Sequence, residues 1–162
     1  MHRKPIIITQ GDLLRLAELL RASLRTWPYL RGLERQLRDA TVVAPEEVPA
    51  DVVTMGSRFR FTDRQSGVSE TYRLVYPAEA DLDRGRLSVF APIGTAVLGR
   101  PAGEAVWWEV PSGLRVVRID EVLFQPEARG REEEGDEDGE PIEGRGGAGV
   151  WAVSGRGVRR AT

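Results

Sequence analysis

Cysteine is absent from this 162-residue chain, which removes disulfides, thiolate metal sites and cysteine nucleophiles from consideration. Histidine occurs once, as His2, at a terminus where chains fray, so histidine catalysis and histidine-rich metal sites are not expected. Lysine also occurs once, as Lys4, among 23 basic residues; the rest are arginines, a usage expected of GC-rich coding sequence. No apolar run reaches the length of a membrane span, and the first residues lack the apolar core of a signal peptide. A soluble, cytoplasmic protein without membrane contact is the expectation.

Charge is distributed unevenly. Net charge is −2, but residues 129–162 hold six arginines against eight acids, leaving 17 of each sign in residues 1–128. A balanced body gives no concentrated basic face for a phosphate backbone, although a local arginine patch remains open. The final stretch also holds nine of the 18 glycines, and seven of the nine residues 132–140 are acidic. Such a block repels itself and buries no core, so a disordered tail is expected over 129–162.

Periodicity divides what remains. Residues 5–10 are a β-branched strip, an edge strand or packed arm, and Thr9 with Asp12 gives a weak helix-start signal. Leu13, Leu14, Leu16, Ala17, Leu20 and Leu24 recur at helical spacing, predicting a helix of roughly 12–14 residues. Pro28 suits the first turn of a second helix with Leu30, Leu33, Leu37 and Ala40 as its stripe. Together they predict a short antiparallel helical hairpin over 1–43, whose leucines serve each other or a neighbouring sheet. Residues 44–51 contain two prolines among polar residues and read as a linker.

From Val52 the period changes to two. Phe59 and Phe61 alternate with arginines, Gln65-Ser66-Gly67 turns, and Tyr72, Leu74 and Tyr76 follow. A strand over 86–91, a short helix over 92–99, a strand around Val106–Val110 and a long strand over 114–124 complete the pattern. The fold class expected is α+β: the hairpin, an antiparallel β domain with one short helix over 52–128, then the tail. Trp107 and Trp108, adjacent on a strand, should face opposite sides, one to the core and one outward.

Several spaced motifs now stand in one order. They are Val52-Val53-Thr54-Met55 with Ser57, Leu74-Val75-Tyr76-Pro77, Ala80-Asp81, and Gly85-Arg86-Leu87-Ser88-Val89. Then come Ala91-Pro92-Ile93-Gly94-Thr95-Ala96-Val97-Leu98-Gly99, Gly103-Glu104 and Val122-Leu123-Phe124-Gln125-Pro126. This run resembles the C-terminal, FKBP-like domain of the GreA/GreB transcript cleavage factors. The stretches 45–55 and 123–128 look most like the shorter branch of that family, the regulators of nucleoside diphosphate kinase (Rnk). The likeness is good over 45–128, loose over 5–44 and absent from the tail.

The resemblance implies a docking module rather than an enzyme. In that family the domain sits on the rim of the RNA polymerase secondary channel, against a coiled coil of the largest subunit. Its contact strand and turn match 86–92 here, which makes Ser88 and Pro92 the residues carried over, with Asp81 in the preceding loop beside them. Some Gre proteins have a polar residue where this chain has Phe90, which implies a drier interface. Ser88 and Pro92 can also be local structure, and Gly94 and Gly99 read as backbone requirements.

Gre factors help hold a catalytic magnesium with acids at the tip of a long coiled coil. The tip here, Ser23–Arg31, has no Asp or Glu, and a 13-residue arm reaches only about 20 Å. A polymerase-binding regulator of elongation without transcript cleavage activity is therefore expected, a monomer needing no cofactor or metal. It would meet DNA only within the polymerase complex. Two rivals stand beside it. One is a peptidyl-prolyl isomerase using an aromatic pocket of Tyr72, Tyr76, Phe90 and Trp108. The other is an interaction module acting through the acidic tail, which otherwise serves solubility.

Overall fold

The computed structural model describes residues 3–129, which fall into two compact units divided between Pro49 and Ala50. The disordered tail expected over 129–162 lies almost wholly outside the described residues.

In the first unit, strand β1 (Ile7–Thr9) runs directly into helix α1 (Gln10–Ser23). The switch happens at Thr9, whose extended backbone ends the strand while its side chain accepts a hydrogen bond from the Asp12 amide. That bond satisfies one of the amides a helix start leaves without an internal partner. The chain turns through residues 24–27, and a 3-10 turn opened by Pro28 feeds helix α2 (Arg31–Arg38). Strand β2 (Thr41–Val43) then lies parallel to β1, with Ile7 opposite Thr41. The apolar strip at 5–10 therefore pairs inside its own unit. Leu16, Leu20, Leu30, Leu33 and Leu37 are buried with Ile6 and Ile8, whereas Leu14 of the expected stripe is 59% exposed.

The second unit is built on five strands: β3 (Arg58–Asp63), β4 (Ser69–Val75), β5 (Arg86–Ser88), β6 (Ala105–Val110) and β7 (Gly113–Phe124). Their order across the sheet is β5-β4-β3-β7-β6. Period-two alternation sends Phe59, Phe61, Tyr72, Leu74, Val106, Val117 and Ile119 inward. Helix α3 (Pro92–Val97) packs on β6 and brings Ile93 and Val97 to the same core. A four-residue helix α4 (Pro126–Arg129) follows β7, and Gln125 ties it back by donating to the Val52 carbonyl at 2.8 Å.

Three expectations need correction. The sheet is mixed, because β5 runs parallel to β4 rather than antiparallel. The connection 76–85 winds through two 3-10 turns and doubles back, so that β5 enters beside Arg73 and runs along the last three residues of β4 in the same direction. The strand expected over 86–91 stops at Ser88, for a reason given below. Trp107 and Trp108 are both half-buried, neither fully core nor fully outward. They lie on β6, an edge strand where neither face is fully covered.

Candidate functional site

The residues singled out from the sequence gather at the edge formed by β5. Asp81 opens the approach: its amide donates to the Arg86 carbonyl at 2.9 Å and its carbonyl accepts from the Arg86 amide at 2.8 Å. Between them a 3-10 turn, Leu82–Arg84, ends at Gly85 with φ +75°, a conformation that favours glycine. The Asp81 carboxylate is half-exposed, with the Arg84 guanidinium 3.7 Å away.

Ser88 ends the strand. Its Oγ accepts from the Phe90 amide at 3.0 Å, and its carbonyl accepts from the Ala91 amide, also at 3.0 Å. A serine hydroxyl bonding the backbone two residues on offers the chain an alternative to the sheet ladder, which is why pairing stops here. The turn delivers Pro92 to the first position of α3, where a missing amide loses nothing. Thr95 Oγ1 then donates back to the Val89 carbonyl at 2.9 Å. Gly94 closes the fit: a Cβ there would stand 2.1 Å from the Ser88 carbonyl oxygen and 2.9 Å from Val89 Cα.

The four residues thus divide by role. Pro92 and Asp81 retain partial exposure. Ser88 is 3% and Phe90 2% exposed, so neither side chain presents surface. The drier interface expected of Phe90 is not formed by its ring, which is buried in the domain's own core. Proline's fixed backbone angle and the doubly bonded Asp81–Arg86 bridge hold the exposed pair on a stiff support.

Other polar groups escaped the sequence reading. Buried Glu70 accepts a hydrogen bond from the Tyr72 hydroxyl at 3.0 Å, and burial together with that carboxylate pushes the Tyr72 phenol well above its ordinary value. Buried Asp63 accepts from the Gln65 amide at 2.8 Å and from Arg115, fixing the β3–β4 turn. Arg100, 3% exposed, has Glu104 Oε1 at 3.5 Å; burial lowers its pKa while Glu104 opposes the shift. No spacing rule separates these charges from surface ones, because strand register buries Asp63 and Glu70, and the loop between α3 and β6 buries Arg100. Among the described residues no group of three or more His, Cys, Asp or Glu is placed to hold a metal ion. No helix among them is long and apolar enough to cross a membrane.

Known proteins resemble this chain in the same region. The model of the family described as "Transcription elongation factor, GreA/GreB, C-term" matches residues 48–124. The "Regulator of nucleoside diphosphate kinase" of Escherichia coli strain K12 is 39% identical over 132 residues, covering 80% of this chain and 97% of that protein. The "Transcription elongation factor GreA" of Geobacillus kaustophilus is 36% identical over 90 residues, 56% of this chain and 57% of that one. Among solved structures, a "Prokaryotic transcription elongation factor GreA/GreB from Nitrosomonas europaea" superposes with a TM-score of 0.64 at 38% identity. It covers 75% of this chain and 100% of that one.

Proposed function

The chain belongs to the GreA/GreB family of transcription elongation factors, and from that premise we propose that it regulates transcription by docking on RNA polymerase through the β5–α3 edge without stimulating transcript cleavage. The observation supporting this is the rigid turn from Asp81 to Pro92. It presents Asp81 and Pro92 while Ser88 and Phe90 are buried behind them. Pre-organised surface loses little conformational entropy on binding, so a small contact can suffice. The expected partner surface is the rim coiled coil of the largest polymerase subunit, with Ser88 and Phe90 positioning the contact rather than making it.

The first unit lacks the reach and the acids that cleavage stimulation would need. Helix α1 has 14 residues and so spans about 21 Å. The turn after it, residues 24–27, carries Arg25 and no acid. Divalent cations take oxygen ligands with negative charge, which this turn does not supply. The protein then acts by occupancy, in competition with other factors that use the same rim.

The isomerase reading loses its support, because Tyr72 and Phe90 are buried and the Tyr72 ring stacks on Phe61 at 5.8 Å. These two rings are closed to a proline from solvent, which leaves only the half-buried Tyr76 and Trp108 of the expected four.

Binding of the full chain to core RNA polymerase tests the proposal. Asp81→Arg with Pro92→Glu should weaken binding about tenfold or more while the fold persists, and unchanged affinity would sink the docking surface. Backtracked elongation complexes test the second half: RNA cleavage stimulated by the pure protein would overturn the occupancy reading.

A further inference from the structure

The sheet edge opposite the docking turn holds a feature that the turn does not use. Strand β6 is the last in the order β5-β4-β3-β7-β6, so it pairs with β7 on one side and, among the described residues, with no strand on the other. An antiparallel ladder takes the backbone groups of alternate residues, and the remaining groups of β6 turn toward the open side. Edge strands are commonly protected by shortness, lysine, proline or a bulge. At six residues β6 is twice as long as β5, the other edge. Its sequence, Ala105-Val106-Trp107-Trp108-Glu109-Val110, has one charge, no lysine and no proline. Its pairing with β7 runs one residue against one from Ala105 to Val110.

The two faces beside that edge differ. Val106 opposes Val117 and both are buried, so Val106 and Trp108 belong to the inner face, where α3 packs. On the outer face Trp107 opposes Val116, and Glu109 opposes Leu114. Trp107 and Val116 are half-buried and Leu114 is 48% exposed, so an apolar strip borders the open edge on that side.

The chain carries a matching segment of its own. Val150-Trp151-Ala152-Val153 is a run of four apolar residues, and nowhere else in 130–162 do two such residues adjoin. Valine and tryptophan favour strands, and the run has no charge and no proline. Its tether has a suitable length. Arg118 of β7 pairs with Ala105, and Phe124 lies six residues further on, about 20 Å beyond the near end of β6. Residues 130–149 join the body to the run and include seven glycines. A glycine-rich chain of that length spans about 25 Å root-mean-square, which matches the distance to be covered.

We propose that the open edge of β6 is a strand-docking site and that its occupant is Val150–Val153 of the same chain, added as a sixth strand. Backbone hydrogen bonds hold the segment, and alternation sets Trp151 beside Trp107 on the outer face, with the smaller Val150 and Ala152 toward the inner one. Tethering keeps the segment at an effective concentration of about millimolar, which a separate extended peptide or a second copy of β6 has to exceed. The added strand closes an edge that would otherwise pair with other chains. The docking turn lies at the far edge of the sheet and stands or falls on its own assay.

Because the chain has no cysteine, Ser154→Cys in the full-length protein gives one attachment point for a nitroxide next to the segment. Paramagnetic broadening should centre on the amide signals of residues 105–110, whatever the protein concentration. It should persist at about 1 M salt, where a screening length of about 3 Å removes contacts made by charge alone. It should be lost when Trp151→Pro and Ala152→Pro are combined in the full-length chain. Proline has no amide to donate, and of two neighbours one falls on the bonding side. Both positions lie beyond the five strands, so the sheet persists in that variant. Amide hydrogen exchange supplies a second reading without a label: alternate amides of β6 should exchange about tenfold or more slowly in the native chain than in the double-proline variant. Broadening centred elsewhere, its loss in salt, broadening or protection that survives the two prolines, or protection that rises with protein concentration, as pairing between copies would produce, would each overturn the proposal.

Discussion

Gly94 shows how one missing side chain sets the β5–α3 turn. A methyl group there would meet the Ser88 carbonyl, a backbone atom that cannot swing aside, so the helix would have to lift from the strand end. Gly94→Ala should destabilise the fold by roughly 2–3 kcal/mol, the cost of overpacking a site that cannot yield, as read from urea unfolding. Tyr72 gives a pH prediction of definite sign. Its folded pKa lies above the ordinary value near 10, so the stability gained by keeping the phenol neutral is complete below pH 10. That stability is lost as pH rises beyond 10 toward the folded value. Unfolding free energy measured between neutral and strongly alkaline pH should fall in the native chain, and the fall should be shallower in Tyr72→Phe.

The elements show where the sequence is legible and where it is not. Helix α1 and its start at Thr9 follow from leucine spacing and a capping residue, both local signals. Thr9→Ala should cost about 1 kcal/mol in thermal or urea unfolding, because the Asp12 amide loses its partner. The β3–β4 turn is equally local, yet its anchor is Asp63, whose buried carboxylate is met by Arg115, 52 residues later. Asp63→Asn keeps an oxygen for the Gln65 amide but removes the charge Arg115 faces. A loss of roughly 1.5–3 kcal/mol is expected on the same unfolding measurement. Strand β5 runs parallel where an antiparallel domain is expected, because sequence alternation carries no direction and only the path of 76–85 sets it. The motifs single out Asp81, Ser88, Phe90 and Pro92, but a motif does not say that Ser88 and Phe90 face inward while Pro92 and Asp81 retain surface.

For the whole molecule, the order of strands across the second unit fixes an order of events in time. Strand β3 lies in the centre, paired with β4 on one side and β7 on the other, yet β7 is made last. At about 5–20 residues per second, some 50 residues of synthesis separate the end of β4 from the end of β7, a wait of roughly 2–10 seconds. During that interval the β3–β4 hairpin exists with one long edge unpaired and with Phe59 and Phe61 awaiting the cover that β7 and α3 help to supply. A nascent chain in that state is open to pairing with its neighbours on the same message, and to capture by whatever binds exposed strands. Completion comes only when Phe124 has been added, so a ribosome that stalls between residues 75 and 117 leaves a hairpin whose β3 edge has no partner strand.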